Sequence, residues 1–368
     1  MGNLGQSATQ ITSELVRINS TTGTPGEVEA LQWVARIFEA NPGYTLSWAR
    51  DERALVVAPT QHCGKELLLL SGHVDTVVAT PDDWSFDPWC GDIVGGMLRG
   101  RGASDMKSGV GAQIAAMLEA GPTAPVALAL STREEWGCAG TPDVIEAIEK
   151  ADIKVGAILV AEPTDGLLLL GHKGPLWLEV TVRGRSAHGS APHLGENAIS
   201  KAAALISRAE SEMPLREHWR LGKETLNIGI MRGGTMRNVV PDTATIDIDI
   251  RTVDPDAQPV IDWWRSQPET ADVRVVAHHP PVWTAASDPW VSGLRLKPES
   301  EPAAFGTEAA PLGAALNWPP TVIWGPGPRA AMHVVDEAVP VSSIATAAEG
   351  YLHAIGSWDR QRSAYSPK

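Results

Sequence analysis

The chain has 368 residues, 43% of them hydrophobic and 20% charged, the balance of a soluble globular protein with enough length for two cores. A formal net charge of -14 and no dense Lys/Arg cluster exclude a nucleic-acid partner, and no run of about 18 apolar residues marks a membrane span. The first residues lack the basic-then-apolar order of a signal peptide, and Cys63, Cys90 and Cys138 make neither a disulfide framework nor a CxxC pair, which suits a reducing cytoplasm.

ITSELVRI and EVEALQWVARIFEA carry helical spacing, with Gly23 to Gly26 as the turn between them. Four short runs follow: ALVVAP, ELLLLSG, VALALST and VGAILVAEP. They are almost continuously apolar, as strands covered on both faces are. GVGAQIAAMLEA and PDVIEAIEKA lie between them as helices, so an α/β layer with a largely parallel sheet is expected. From about residue 176 the rhythm changes. LWLEVTVRG, TLNIGIMRGG, ATIDIDIRTV and VRVVAHH read as strands, and ENAISKAAALISRAE and PVIDWWRS as helices. Their order, β-α-β-β-α-β, is that of a ferredoxin-like unit. We therefore expect residues 1–175 and 284–368 to form one domain, with 176–283 inserted into it. The returning part holds a strand, TVIWGPG, and a helix, SSIATAAEGYLHAI; the polar end WDRQRSAYSPK is expected to fray.

Ligands of open α/β sheets bind beyond the carboxyl ends of the strands. ELLLLSG runs into His73 and Asp75, VALALST into Glu134 and Glu135, and VGAILVA into Glu162. TVIWG leads through a Gly/Pro loop to His333, and GRGASDMKSG offers Asp105 before a helix. Singly, each has an ordinary role: a surface imidazole, a helix cap, solvated loop charges, a turn residue. Together, two imidazoles and several carboxylates on one sheet edge suit divalent cations, Zn²⁺ above all.

The order of SGHVDTV, GRGASDMKSG, EEWGCAG, AEPTD and MHVVDE resembles that of the M20 family of metallopeptidases and deacylases. The inserted stretch is similar too, at RGRSAHGSAPHLGENAI and MRNVVPD. The resemblance implies a dizinc exopeptidase-type catalytic domain and an inserted dimerisation (lid) domain. It implies two Zn²⁺ per chain, with Co²⁺ or Mn²⁺ as substitutes, bridged by Asp105. His73 and Glu162 would complete one metal site, Glu135 and His333 the other. Asp75 would orient His73. Glu134 would act as general base toward a water between the metals.

From the inserted domain of a homodimer partner, His188 would donate to the developing oxyanion. Asn238 and Arg251 would contact substrate, the Arg251 guanidinium pairing with a substrate carboxylate. Gly306-Thr307-Glu308 and Gly325-Pro-Gly327 would shape backbone near the site. The implied activity is removal of a small acyl group from an N-acyl amino acid by a cytoplasmic hydrolase, as in acetylornithine deacetylases. A dipeptidase, carboxypeptidase or desuccinylase of the same family, or an enzyme for another C–N bond, is the alternative. GHKGPLW, with His172, Lys173 and Pro175, departs from the desuccinylase pattern, and Val78 stands where the family has proline. Trp84, Trp89, Trp136 and Trp324 flank the motifs, with core packing the expected role for most.

Overall fold

The computed structural model describes residues 2–62, 64–294, 296–299 and 301–362. Cys63 and the last six positions of the polar end lie outside them. The chain divides into two compact units: Met1–Gly171 with Trp283–Ala303 and Thr307–Lys368, and His172–Val282 with Ala304–Gly306.

The first unit opens with α1 (Asn3–Arg17), α2 (Gly26–Glu39), β1 (Tyr44–Trp48), β2 (Ala54–Pro59) and β3 (Glu66–His73). It continues with α3 (Ser108–Ala120), β4 (Val126–Ser131), α4 (Thr141–Ala151) and β5 (Lys154–Val160). The second unit supplies β6 (Gly174–Arg183), α5 (Ala198–Glu212), β7 (Thr225–Gly233), β8 (Thr243–Thr252), α6 (Gln258–Ser266) and β9 (Thr270–His278). The chain then returns to the first unit for β10 (Thr321–Ile323) and α7 (Val341–Gln361).

The first unit's sheet runs β1-β2-β4-β3-β5-β10. β3, β4, β5 and β10 are parallel neighbours, and β1 and β2 are added antiparallel at one edge. Every residue of β2 and β4 is buried, which is why both read as unbroken apolar runs rather than alternating ones. Helices α1, α3 and α7 pack on one another, and α4 lies against β1, β2 and β4. β1 (YTLSW) is only partly buried and its pattern did not predict a strand; pairing with β2 forms it. α7 runs through Gln361, so Trp358, fully buried and hydrogen-bonded through Nε1 to the Glu66 carbonyl, is not part of a frayed end. α3 begins tight against the residue after β5: a Cβ on Gly109 would lie 2.3 Å from the Ala161 carbonyl oxygen. Among the described residues no helix is long and apolar enough to cross a membrane.

The second unit is an antiparallel sheet, β7-β8-β6-β9, with α5 and α6 over one face. Alternate residues of β6 (Leu176, Leu178, Val180, Val182) and of β8 (Ile246, Ile248, Ile250) form its core with Trp264. That period of two makes the strands legible, and a one-residue slip would turn the core face outward.

His172, at the start of this unit, is fully buried, with Nδ1 2.8 Å from the Lys173 carbonyl. Burial, reinforced by Arg251 and His279, pushes its imidazole down to about 4 against an ordinary 6.5. The Lys173 carbonyl opposes that shift. The folded form therefore keeps His172 neutral where the unfolded chain takes up a proton. Its contribution is intact above about pH 6.5 and is lost as pH falls toward 4. In urea titrations, His172→Gln should remove up to about 3 kcal/mol of the loss of stability between pH 7 and 4. Equal pH slopes in the two proteins would show that His172 is not buried neutral.

Candidate metal centre

The site is built at the carboxyl ends of β3, β4 and β5. His73 is the last residue of β3 and is 1% exposed. Its Nδ1 lies 3.0 Å from the Asp75 carbonyl oxygen, which leaves the buried Nε2 to face Asp105, Glu134 and Glu162. Asp105 sits in the Gly-rich loop before α3, at a cis peptide bond to Met106. Its two oxygens face two imidazoles: Oδ1 is 3.3 Å from His73 Nε2, and Oδ2 is 3.2 Å from His333 Nε2. Glu162, two residues beyond β5, brings Oε1 to 3.9 Å from His73 Nε2. Glu135 Oε2 stands 3.0 Å from His333 Nε2. Two ligand groups result, His73/Asp105/Glu162 and Asp105/Glu135/His333. Within each, the candidate atoms lie within 4.8 Å of one another, and the groups share Asp105.

The neighbouring anions Glu134 and Glu135 do not sit on extended backbone, as continuation of β4 would have it. They form a 3₁₀ turn, Glu134–Trp136, entered through Arg133 (φ 59°) and left through Gly137 and Cys138 (φ 72° and 60°), all left-handed. Asp75 holds that turn: its Oδ1 accepts the Glu134 N–H at 3.1 Å and its Oδ2 the Glu135 N–H at 3.3 Å. Thr22 Oγ1 donates to the same carboxylate at 2.9 Å. Beyond the contact with His73, Asp75 therefore fixes the backbone of both glutamates, and their side chains diverge. Glu135 turns to His333. Glu134 belongs to neither ligand group; its Oε1 accepts the Cys138 thiol at 3.2 Å and its Oε2 is 4.0 Å from His73 Nε2.

The electrostatics fit a bound cation. The carboxylates of Asp75, Asp105, Glu134, Glu135 and Glu162 converge here, and among the described residues their ion pairs are with two imidazoles alone. Buried His73 Nε2 and Asp105 Oδ1 make no hydrogen bond. Two buried ligand atoms that approach to 3.3 Å without hydrogen-bond geometry are costly unless a cation serves both. Asp105 and Glu135 hold the His333 imidazole up to about 10. Burial opposes protonation of His73, yet Asp105, Asp75 and Glu134 hold it well above its ordinary value. At both imidazoles the surrounding carboxylates favour a positive charge, the demand that a bound cation would also meet. Burial first, then the Glu135, Asp75 and Asp105 anions, pushes Glu134 above the usual carboxylate range, with His73 pulling the other way. The donor set of imidazole and carboxylate suits zinc and also cobalt or manganese.

Around this lies a frame of buried glutamates, of which sequence reading singled out only Glu308, within a backbone-shaping loop. Glu337 is buried and organises the Asp105 loop: Oε1 accepts the N–H groups of Ser104 and Asp105, at 2.7 and 3.0 Å. Its Oε2 accepts Gly102 N–H at 3.0 Å and Arg101 Nη1 at 2.7 Å. Glu27, in α2, accepts the Arg133 and Gly23 N–H groups, both at 2.9 Å, and so fixes the entry to the glutamate turn. Glu308 lies buried under Ser71 and Ser131. The anion closing MHVVDE was the one available signal, for Glu337; Glu27 reads as an ordinary helix-surface residue. Of the flanking tryptophans, Trp84 and Trp324 are buried, and Trp136 is 61% exposed against Gly23.

His188, Asn238 and Arg251 lie in the second unit. His188 is exposed, with Nδ1 2.8 Å from Ser190 Oγ; next to it, Gly189 N–H donates to the Asn238 carbonyl at 2.7 Å. Arg251, on β8, pairs with Asp249 at 2.9 Å.

Comparison with known proteins gives a consistent picture. The model of peptidase family M20/M25/M40 matches residues 69–357. A protein of Aspergillus clavatus named a probable carboxypeptidase is 32% identical over 260 residues, 65% of this chain and 56% of that protein's length. A probable succinyl-diaminopimelate desuccinylase of Staphylococcus epidermidis is 29% identical over 336 residues, 78% of this chain and 82% of its own. The crystal structure of an M20 family metallo-carboxypeptidase from Sulfolobus solfataricus superposes with a TM-score of 0.76 at 17% identity. That superposition covers 96% of this chain and 99% of the other, and it bears on the fold.

Proposed function

Because the chain belongs to peptidase family M20/M25/M40, hydrolases of amide or peptide bonds, we propose that it is a two-metal amidohydrolase. In this reading it removes a small acyl group from an N-acyl amino acid. The observation that carries the reading is Asp105, shared by two ligand groups with one oxygen toward each imidazole. His73, Asp105 and Glu162 would hold one cation, and Asp105, Glu135 and His333 the other, with two Zn²⁺ per chain as the expected content. Bound there, the metals would polarise the amide carbonyl and make a water acidic near neutral pH.

Glu134, held out of both ligand groups, takes the proton from the attacking water and returns it to the leaving amine. Its position suits that exchange, close to the ligand groups but outside both of them. Asp75 sets the position of Glu134 through the backbone and of His73 through the ring. His188 donates to the oxyanion, and Asn238 and Arg251 bind substrate, with Arg251 as the planar partner of the carboxylate. The second unit is also the proposed homodimer interface. β7 is an edge strand carrying exposed Ile230 and Met231, a surface that a second copy would cover. Cys90 and Cys138 are free thiols, consistent with a cytoplasmic location.

A second reading rests on the names of the relatives: a carboxypeptidase or desuccinylase would use the same machinery beside a substrate carboxylate. One experiment separates these. Zinc-loaded protein is offered N-acetyl and N-succinyl amino acids and dipeptides, and kcat/KM is read for each. The highest value on an N-acetyl substrate supports deacylation, and a dipeptide or N-succinyl substrate in first place overturns it in favour of the second reading. Chelation should abolish all activity, with zinc, cobalt or manganese restoring it; full activity in excess chelator would remove the metal from the mechanism.

A further inference from the structure

We propose that Glu308 is a positioning residue for the metal centre, a buried anion that clamps two ligand-bearing strands and strengthens the site's hold on divalent cations. The inference rests on the two-metal reading above. Glu308 precedes a short helix, Ala309–Ala315, and is 1% exposed. Its Oε1 accepts Ser71 Oγ at 2.6 Å and its Oε2 accepts Ser131 Oγ at 2.9 Å.

Those serines are not arbitrary partners. Ser71 lies two residues before His73 on β3 and so shares its face. Ser131 is the register partner of His73 across the parallel β3–β4 pair, and it precedes Glu134 by three residues. One carboxylate thus joins the two strands at the level where they deliver His73 and the glutamate turn.

Strand clamping alone does not call for a charge, since a neutral amide could accept from one serine and donate to the other. The surroundings make the charge significant. Burial raises the Glu308 carboxyl above its ordinary value and Asp75 adds to that, while the Ser71 and Ser131 hydroxyls and the His73 imidazole favour its charged form. Glu308 in turn acts on Glu162 and on Cys138, beside Glu134. A buried anion among other anions is a cost in the metal-free protein and a gain once dications are bound. Carboxylates hydrogen-bonded to metal ligands change metal affinity 10–100-fold in general, and Glu308 acts one step further out, through serines on the strands that deliver the ligands.

The test is Glu308→Gln in the full-length chain, which keeps the size and both serine links and removes the charge. Two quantities are measured: the zinc dissociation constant, by competition with a chromophoric chelator, and the thermal midpoint of the metal-free protein. The expected result is about tenfold or greater weakening of zinc binding, with a metal-free midpoint equal to or above that of the wild type. Unchanged zinc affinity overturns the proposal. So does a variant that fails to fold, or one whose metal-free midpoint falls along with its affinity, because both mark a purely structural clamp. A wild-type chain that binds no zinc in the same titration takes the two-metal reading down as well, and that titration alone identifies the case.

Discussion

Glu134→Gln should lower kcat by roughly 10²- to 10⁴-fold, the usual contribution of a positioned general base, while zinc content per chain stays at the wild-type value. The substitution is nearly isosteric, and the residue lies outside both ligand groups, so neither metal loses a donor. The turn itself is held through the backbone, by Asp75 on the Glu134 and Glu135 N–H groups and by Glu27 on that of Arg133. Metal analysis by mass spectrometry and steady-state kinetics on the best substrate check the two halves. Near-normal kcat would remove Glu134 from the chemistry. Loss of zinc along with activity would make it a ligand instead. Glu134→Ala should behave alike in turnover and adds a cavity beside Cys138, whose thiol loses its acceptor.

Glu337→Ala should cost about 3–5 kcal/mol of unfolding free energy, the range for breaking a buried charge pair. The carboxylate satisfies three backbone N–H groups of the 102–105 loop and pairs with Arg101, which is 4% exposed and stacked over Trp84 with 4.9 Å to the ring centroid. Removing it leaves those donors buried without an acceptor and a guanidinium without its anion. Urea unfolding of the metal-free chain checks the number without interference from ligation. A loss below about 1 kcal/mol, the scale of an exposed pair, would show that the loop is held by other means. Glu337→Gln should lie between, since an amide oxygen still accepts but no longer balances Arg101.

The main lines of the fold were readable because burial writes itself into sequence. Strands covered on both faces appear as ALVVAP and VALALS, and half-covered ones as the alternation of ATIDIDIRTV. The groups that could hold a metal were readable only as a set: singly each residue has an ordinary role, but two imidazoles and several carboxylates at the ends of such runs and in adjoining loops suit divalent cations. The supporting frame was not. Glu337 meets Gly102 across 235 positions and Glu308 meets Ser71 across 237, distances over which local pattern says nothing. Glu27 occupies a helix position that looks solvent-facing. The glutamate turn depends on a left-handed Arg133, a conformation ordinary for glycine and rare for arginine, so nothing local announces it.

The first unit is discontinuous, and that has a consequence for how the protein is made. His73, Asp105, Glu135 and Glu162 leave the ribosome early, while Glu308, His333 and Glu337 follow only after the whole of 172–282 has been synthesised. The emerging amino-terminal part therefore carries a knot of mutually repelling acids with neither the strap of the 102–105 loop nor the second imidazole to quiet them. β10 and α7 are made last, so the sheet is completed and His333 becomes available to Asp105 and Glu135 only after the second unit has been synthesised; on the proposed reading, a chain halted before them should bind zinc weakly and hydrolyse nothing.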